Sequence, residues 1–224
     1  MPNNLYEALW IFILYACIGW LVEVSYAALS KGVFENRGFL NGPYCPIYGF
    51  GILIVTTLLS PLQDNLIWLF LGSVALTSAL EFLTGLVLEK IFKQRWWDYS
   101  DVPFNIMGHI CLKFSVLWGL GCMFVLRLIH PHIVTLIQWC PGHVGNILLF
   151  VSLLWLLVDC AATIDLAWDE RNNLKVLEES AKGMRKISDN LAEGVYKGAT
   201  KAVKKVRGRT DKTPEDSSKT ENKK

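Results

Sequence analysis

Five runs of apolar residues constrain the fold of this chain more than any other feature of its sequence. A helix needs about 20 mainly apolar residues to cross the hydrocarbon core of a bilayer, because each residue adds about 1.5 Å. The runs are separated by short segments and cover Leu5–Leu29, Tyr44–Leu59, Leu66–Leu88, Ile106–Ile129 and Val144–Trp168. The sequence therefore predicts an all-α protein, a polytopic membrane helix bundle with five transmembrane helices.

Charge divides the chain into an apolar body and a basic tail. Only 19% of the 224 residues are charged, whereas soluble domains have about 25%. Residues 1–169 contain seven Lys or Arg and eleven Asp or Glu, and residues 170–224 contain fifteen and nine. We expect a transmembrane helix bundle over residues 1–169, a cytoplasmic basic amphipathic helix over 170–207 and a disordered polar tail over 208–224.

The positions of Lys and Arg predict how the bundle lies in the membrane. Cytoplasmic loops carry an excess of these residues. They follow the first, third and fifth apolar runs, whereas the N-terminus and the turn at Pro61–Asn65 contain none. With five spans, all of the positive segments fall on one side. The sequence thus predicts a multi-pass protein of the cell membrane, with the N-terminus outside and the C-terminal tail in the cytoplasm.

The loop after the first run has an unusual backbone. It reads NRGFLNGPYCPIYG over residues 36–49, and its glycines and prolines exclude a plain helical hairpin. Irregular backbone near membrane depth must be buried in protein or line a wet cavity. Asn36, Arg37 and Asn41 can donate to an anionic or polar group, and we take Asn36 and Arg37 as candidate substrate-binding residues. A re-entrant turn held by Arg37 and a nearby acid is the structural alternative.

A second loop, RWWDYSDVPFN over residues 95–105, combines aromatic and polar side chains. Its paired tryptophans are typical of a membrane interface. Asp98 and Asn105 are further candidate substrate-binding residues, since an interfacial aromatic belt does not require them. Asn105 directly precedes the fourth run and is predicted to cap its helix, whose N-terminal amides would favour an anion.

Glutamates inside the apolar runs complete the candidate site. An ionisable side chain at membrane depth is costly and is a functional candidate by default. Glu81 lies near the middle of the third run, and Glu23 lies towards the cytoplasmic end of the first. We expect both to converge with Arg37, Asp98 and Asn105 on one polar cavity that opens to the cytoplasm.

Other polar residues in the runs have mainly structural interpretations. Lys113 is a possible partner for Glu81 in an ion pair that holds the helices together. His109 is interpreted as a hydrogen-bonded residue of the fourth helix, not as a metal ligand. Asp159 and Asp165 are secondary candidates in the last run.

Several kinds of chemistry have no motif in this sequence. It contains no GxxxxGK[ST], HExxH or GxSxG pattern and no Cys/His pair at zinc spacing. We therefore expect no cofactor and no metal site. Cys17, Cys111, Cys122 and Cys160 lie well inside apolar runs, where cysteine behaves as a small apolar residue. Nucleic acid is not an expected partner, because the basic tail has almost no aromatic residues.

Both loops match a known family. The segments NRGFLNGPYCPIYG and WDYSDVPFNIMGHICLKFSVLWG (residues 97–119) resemble the "Putative ABC-transporter type IV" family of bacterial membrane proteins, over roughly residues 5–168. The resemblance implies a transporter component. His109 departs from the pattern, because arginine is expected there. The resemblance maps the family's characteristic positions onto Glu23, Asn36, Arg37, Gly38, Pro43, Cys45, Pro46, Tyr48, Glu81, Trp97, Asp98, Tyr99, Asn105 and Gly108. It thereby implies that Tyr48 and Tyr99 are also candidate substrate-binding residues.

These observations favour a permease-like transport component that binds or moves a small polar or anionic solute at a cytoplasm-facing polar cavity. An ATPase, if one takes part, must be a separate chain. Membrane lipids and a homo-oligomer are the other expected partners. Two alternatives remain open: an intramembrane enzyme that acts on a lipid or lipid-linked substrate, with Glu81 or Asp98 as acid or base, and a non-catalytic membrane scaffold.

Overall fold

The computed structural model describes residues 2–32, 38–168 and 175–210. These residues form an all-α bundle with one small β-hairpin. The elements in chain order are α1 (Leu5–Lys31), α2 (Pro46–Leu58), a 3₁₀ turn (Ser60–Leu62), α3 (Leu66–Phe92), β1 (Asn105–Ile106), β2 (Ile110–Cys111), α4 (Leu112–Phe124), a π-helical turn (Val125–Ile129), α5 (His130–Trp139), α6 (Gly142–Trp168) and α7 (Lys175–Thr210).

Among the described residues, four helices are long and apolar enough to cross a bilayer, which confirms the predicted class of fold. They are Leu5–Ser30, Leu66–Phe92, Leu112–Trp139 and Gly142–Asp165. The second apolar run forms only the 13-residue helix α2. At 1.5 Å per residue, α2 is about 20 Å long and does not span about 30 Å of hydrocarbon alone.

The fourth run does not fold as its hydropathy predicts. We expected a helix over Ile106–Ile129 with Asn105 as its N-cap, but β1 and β2 form an antiparallel hairpin that pairs Asn105 with Cys111 and Ile106 with Ile110. Met107 and Gly108 adopt left-handed φ values of 54° and 73°, which a right-handed helix cannot include. The prediction that Asn105 caps the helix is therefore wrong: the cap position is Cys111.

The helix that begins after the hairpin runs further than predicted. The π-helical turn joins α4 to α5, and the apolar helix continues to Trp139. Pro131 lies in the first turn of α5. Proline has no N–H and crowds the preceding turn, so a local widening of the helix there accommodates it.

Close backbone contact joins α1 to α2. A Cβ added at Gly49 would lie 2.6 Å from the carbonyl oxygen of Phe12, and one added at Gly19 would overlap the ring of Tyr48. Small residues permit helices in membranes to approach closely. The main buried cluster lies around this contact and includes Ile11, Tyr15, Ile52, Val55, Leu59, Leu69, Leu126 and Ile137.

The loop before α2 enters the bundle. The amide of Cys45 donates to the carbonyl of Ala16 at 2.9 Å, and α1 continues for 15 residues beyond Ala16. At 1.5 Å per residue, α2 therefore begins about 22 Å from that end of α1. Leu40, in the same loop, is buried with residues of α1 and α6. We call residues 38–45 the re-entrant loop, because they fold back along α1 into the bundle. The contact of Arg37 with an acid, which the structural alternative required, lies outside the described residues.

The second unit of the chain, from α3 onwards, repeats several features of the first. Both α1 and α3 contain 27 residues, begin after an asparagine N-cap (Asn4 and Asn65) and end at a left-handed residue (Gly32 and Lys93). Each is followed by an irregular segment that folds back along it and then by a helix whose N-cap is a cysteine, Cys45 or Cys111. The two irregular segments are therefore in equivalent positions along the chain.

The long helix α7 packs on the body of the protein. Ala192 is fully buried in a cluster with Trp20, Val24 and Cys45. The hydroxyl of Tyr196 donates to the carbonyl of Gly32 at 3.1 Å. The remainder of the predicted tail, residues 170–174 and 211–224, lies outside the described residues.

Candidate functional site

Glu81 is the centre of the candidate site. It lies on α3 with only 7% of its surface exposed. Its Oε1 atom accepts a hydrogen bond of 3.0 Å from the Tyr99 hydroxyl, which the second loop carries back along α3. Its Oε2 atom is buried and forms no hydrogen bond of good geometry among the described residues, although the Trp118 side chain lies within reach of the carboxyl. A buried acceptor without a well-placed donor is costly, so this oxygen requires an explanation.

A second glutamate–tyrosine pair lies beside the first. The Tyr48 hydroxyl, on α2, donates to Glu23 Oε1 on α1 at 2.6 Å. The ring of Tyr48 packs edge-on against Trp118 of α4, with 5.1 Å between centroids. Trp118 in turn lies against the carboxyl of Glu81.

These residues form one site, which we call the Glu–Tyr cluster: Glu23, Tyr48, Glu81, Tyr99 and Trp118. They come from α1, α2, α3, the second loop and α4. The carboxylates of Glu23 and Glu81 are near enough to interact electrostatically. Four of the predicted site residues therefore meet, although they lie in four different segments of the sequence.

The hydroxyl of Tyr99 is held as a hydrogen-bond donor. Burial raises the pKa of its phenol, and the adjacent Glu81 carboxylate raises it further. Tyr99 therefore stays protonated at physiological pH. Its ring stacks on Phe114 at 4.9 Å, which fixes its position between α3 and α4.

Asp98 lies in the same loop, and its hydrogen bonds stabilise the loop. Its Oδ1 atom accepts the amide of Ser100 at 2.9 Å and is also paired with Arg95 at 3.4 Å. The bonds from Ser100, followed by the charge of Arg95, lower the pKa of Asp98 below its usual range. Because a carboxyl with a lowered pKa remains ionised, it is a poor general acid.

Asn105 shapes the hairpin. Its Nδ2 atom donates to the carbonyls of Ser100 and Val102 at 3.1 and 2.9 Å, and its Oδ1 atom accepts the amide of Gly108 at 3.1 Å. All of these partners belong to the loop. The hydrogen bonds described for Asp98 and Asn105 therefore do not join them to the Glu–Tyr cluster.

The remaining expectations for charged residues have different outcomes. Asn36 and Arg37 lie outside the described residues. Lys113 is exposed, and its ammonium lies 5.7 Å from the centre of the Phe114 ring. Within the described part of the chain, no ion pair joins Lys113 to Glu81.

Asp159 has a larger role than its sequence context indicated. Its side chain on α6 is fully buried. It accepts the amides of Asn41 and Gly42 at 3.1 and 2.7 Å, and the hydroxyl of Thr163 at 3.3 Å. Asp159 thus fixes the re-entrant loop to α6. The signal in the sequence was an acid inside an apolar run, but nothing in the sequence identified its partners.

His109 lies in the turn of the hairpin and not in a helix, so its predicted position is wrong. It is only 2% exposed, and its Nε2 atom lies 3.2 Å from Glu89 Oε2 on α3. The other oxygen of Glu89 pairs with Arg95 at 2.8 Å. The carbonyl of His109 accepts the indole N–H of Trp97 at 2.8 Å. Together these bonds hold the hairpin against α3.

Comparison with known families agrees with this architecture. Residues 10–164 match the family described as "Putative ABC-transporter type IV". The chain belongs to this family. The matched region contains the whole Glu–Tyr cluster and ends before α7, and no solved structure matches the chain. With its apolar helices, the type IV chain is a multi-pass membrane protein related to transport.

Proposed function

We propose that this type IV protein is a permease-like component of the cell membrane that binds or moves a small polar or anionic solute at the Glu–Tyr cluster. One observation carries the proposal: Glu81 is a buried ionisable residue within the apolar helix α3, and it shares its site with Glu23 and two tyrosine hydroxyls. An ionisable side chain inside a membrane span is costly and is a functional candidate by default.

The arrangement of backbone around the cluster supports transport. Tyr48 follows one re-entrant segment by three residues, and Tyr99 lies within the other. Irregular backbone at membrane depth, placed between equivalent units of the chain, is typical of transporter binding sites. Movement of either segment relative to α1 and α3 would break a tyrosine–glutamate hydrogen bond and open the cluster.

The chemistry of the cluster defines the solute contacts. An oxygen of Glu81 accepts hydrogen bonds, so the solute offers an N–H or O–H group to it. An anionic solute also needs a cation, and Arg37 is the residue that the sequence provides for this role. The guanidinium forms two parallel hydrogen bonds with carboxylate or phosphate, which lysine cannot.

The proposed topology has five spans, with the re-entrant loop and α2 together forming the second. The N-terminus is outside and the C-terminus is in the cytoplasm, because the positive segments then share one side. The Glu–Tyr cluster opens to the cytoplasm in this orientation. If ATP drives the transport, a separate ATPase chain binds on that side.

The test uses a deletion strain that expresses the protein again from a plasmid. Small solutes and lipids are compared by untargeted mass spectrometry in cells and medium, and proteins that copurify from the membrane are identified. A solute whose distribution depends on the protein, with or without a copurified ATPase, supports the proposal. A chemically modified lipid with unchanged solutes would instead support the intramembrane enzyme.

A further inference from the structure

A cleft beside the end of α3 lies outside the Glu–Tyr cluster. It is lined by Leu86, Glu89, Lys90, Lys93, Met107 and His109. Its α3 side covers two helical turns, from Leu86 to the C-cap residue Lys93. At 1.5 Å per residue, this distance is about 10 Å along the helix axis.

The lining of the cleft changes from apolar to basic along α3. Leu86 lies furthest from the end of α3, Lys90 and Lys93 lie nearest to it, and the hairpin adds Met107 to the lining. Both lysines are exposed, and neither takes part in an ion pair within the described residues. Glu89 is already paired with Arg95 and His109. The two lysines are therefore the charges available to a ligand.

The hairpin beside the cleft presents apolar side chains outward. Phe104, Ile106 and Met107 are 80%, 56% and 64% exposed. Phe104 and Met107 hold left-handed φ values of 57° and 54°, as does Lys93 at 57°. Such values are costly for residues other than glycine and cluster at functional sites. The strained backbone here exposes apolar surface next to two free ammonium groups.

From this arrangement, we propose that the cleft binds one anionic phospholipid, with its phosphate at Lys90 and Lys93 and an acyl chain along Leu86 and Met107. The two ammonium groups complement the negative charge of the phosphate. The lining changes from basic to apolar in the same order as a lipid changes from headgroup to acyl chain. Basic pockets at the cytoplasmic ends of spans bind anionic headgroups, and each Lys near the surface contributes about 1 kcal/mol. The occupied cleft would hold the hairpin, and with it Tyr99, against α3.

The experiment measures lipid binding to the full chain in detergent by native mass spectrometry. Phosphatidylglycerol and phosphatidylcholine are titrated separately, and inorganic phosphate is added as a competitor. The test variant is Lys90→Gln/Lys93→Gln. A matched control, Lys201→Gln/Lys204→Gln, removes two exposed lysines from α7. A second variant, Met107→Asn, removes the acyl contact with a residue that tolerates the left-handed conformation.

We expect the wild-type chain to prefer phosphatidylglycerol. Lys90→Gln/Lys93→Gln should weaken its binding about 25-fold, or about fivefold per charge, which corresponds to 1 kcal/mol for each lysine. The control should keep the preference, and Met107→Asn should weaken both lipids. Equal binding by the test variant and the wild type would overturn the proposal. Displacement of the lipid by inorganic phosphate would also overturn it, because the site would then recognise a free anion.

Discussion

Asp159 accepts the backbone amide of Gly42 at 2.7 Å, although 117 residues separate them in the sequence. The same carboxylate accepts the amide of Asn41. Two charge-assisted hydrogen bonds thus attach the re-entrant loop to α6 inside the bundle. The position of α2, and therefore of Tyr48, depends on this attachment, because α2 begins four residues after Gly42.

Replacing Asp159 should destabilise the bundle. Asp159→Asn keeps one acceptor oxygen but removes the charge, and we expect a loss of about 2 kcal/mol, the usual contribution of a hydrogen bond to a charged group. The apparent melting temperature in detergent should fall. Asp64→Asn, in the exposed turn before α3, is the control and should leave it unchanged. Equal melting temperatures for the two variants would show that the loop is held by other contacts.

Glycine-to-alanine changes test the contact between α1 and α2. At Gly49, the new Cβ would lie 2.6 Å from the carbonyl oxygen of Phe12. A backbone oxygen cannot move aside by a change of side-chain rotamer. We expect Gly49→Ala to cost about 1–3 kcal/mol through overpacking. At Gly121 on α4, the added Cβ has no neighbour within 4 Å. There, Gly121→Ala should be neutral or stabilise by up to about 1 kcal/mol, because alanine favours a helix. Thermal unfolding of both variants distinguishes the two sites; a stable Gly49→Ala variant would contradict the close contact.

The packing of α7 predicts that this helix is protected from proteases. Ala192 contacts Trp20 and Val24 of α1 and is fully buried. Burying a charge there would be costly, so Ala192→Glu should release α7. Limited trypsin digestion in detergent should then cut the basic residues of α7 faster than in the wild type. Lys201→Glu, an exposed change on the same helix, should not accelerate cleavage at the other sites. Equal digestion of Ala192→Glu and the wild type would show that α7 does not depend on this contact.

The orientation can be tested with single cysteines in a cysteine-free background. In intact cells, a membrane-impermeant thiol reagent should label a cysteine at Asp64, because the turn at Pro61–Asn65 lies outside in the proposed topology. Cysteines at Asp101 and Lys201 should react only after the membrane is opened. Labelling of position 201 in intact cells would reverse the proposed orientation.

Hydropathy and charge predicted much of this fold, because long apolar helices leave a strong local pattern. The membrane bundle, three of the long helices and the importance of both loops follow from runs of residues that are near each other in the sequence. The start of α4 could not be predicted in this way, because residues 106–111 are apolar enough to be part of a span. Their hairpin depends on left-handed backbone at Met107 and Gly108 and on the contact of His109 with Glu89.

The sequence allowed the residues of the site to be predicted, but not the hydrogen-bonded pairs that they form. Glu23 and Glu81 were identifiable because a carboxyl in an apolar run is costly. Their partner Tyr48 lies on α2, just after the re-entrant loop, and their partner Tyr99 lies in the second loop; the positions of both depend on tertiary contacts. Trp118 was missed because tryptophan in a span is ordinary. Asp98 and Asn105 have the residue types of a binding site, but their hydrogen bonds organise the loop.

The most direct test of the Glu–Tyr cluster is the cellular distribution of the solute identified in the deletion strain. It is measured in cells that express the wild type, Glu81→Gln, Tyr99→Phe or the control Asp64→Asn at equal membrane levels. Because Glu81→Gln removes the ionisable carboxyl while keeping its shape, we expect it to resemble the deletion strain. Tyr99→Phe should show a partial loss, and Asp64→Asn should match the wild type. Wild-type distribution in Glu81→Gln cells with full membrane levels would contradict a functional role for the cluster.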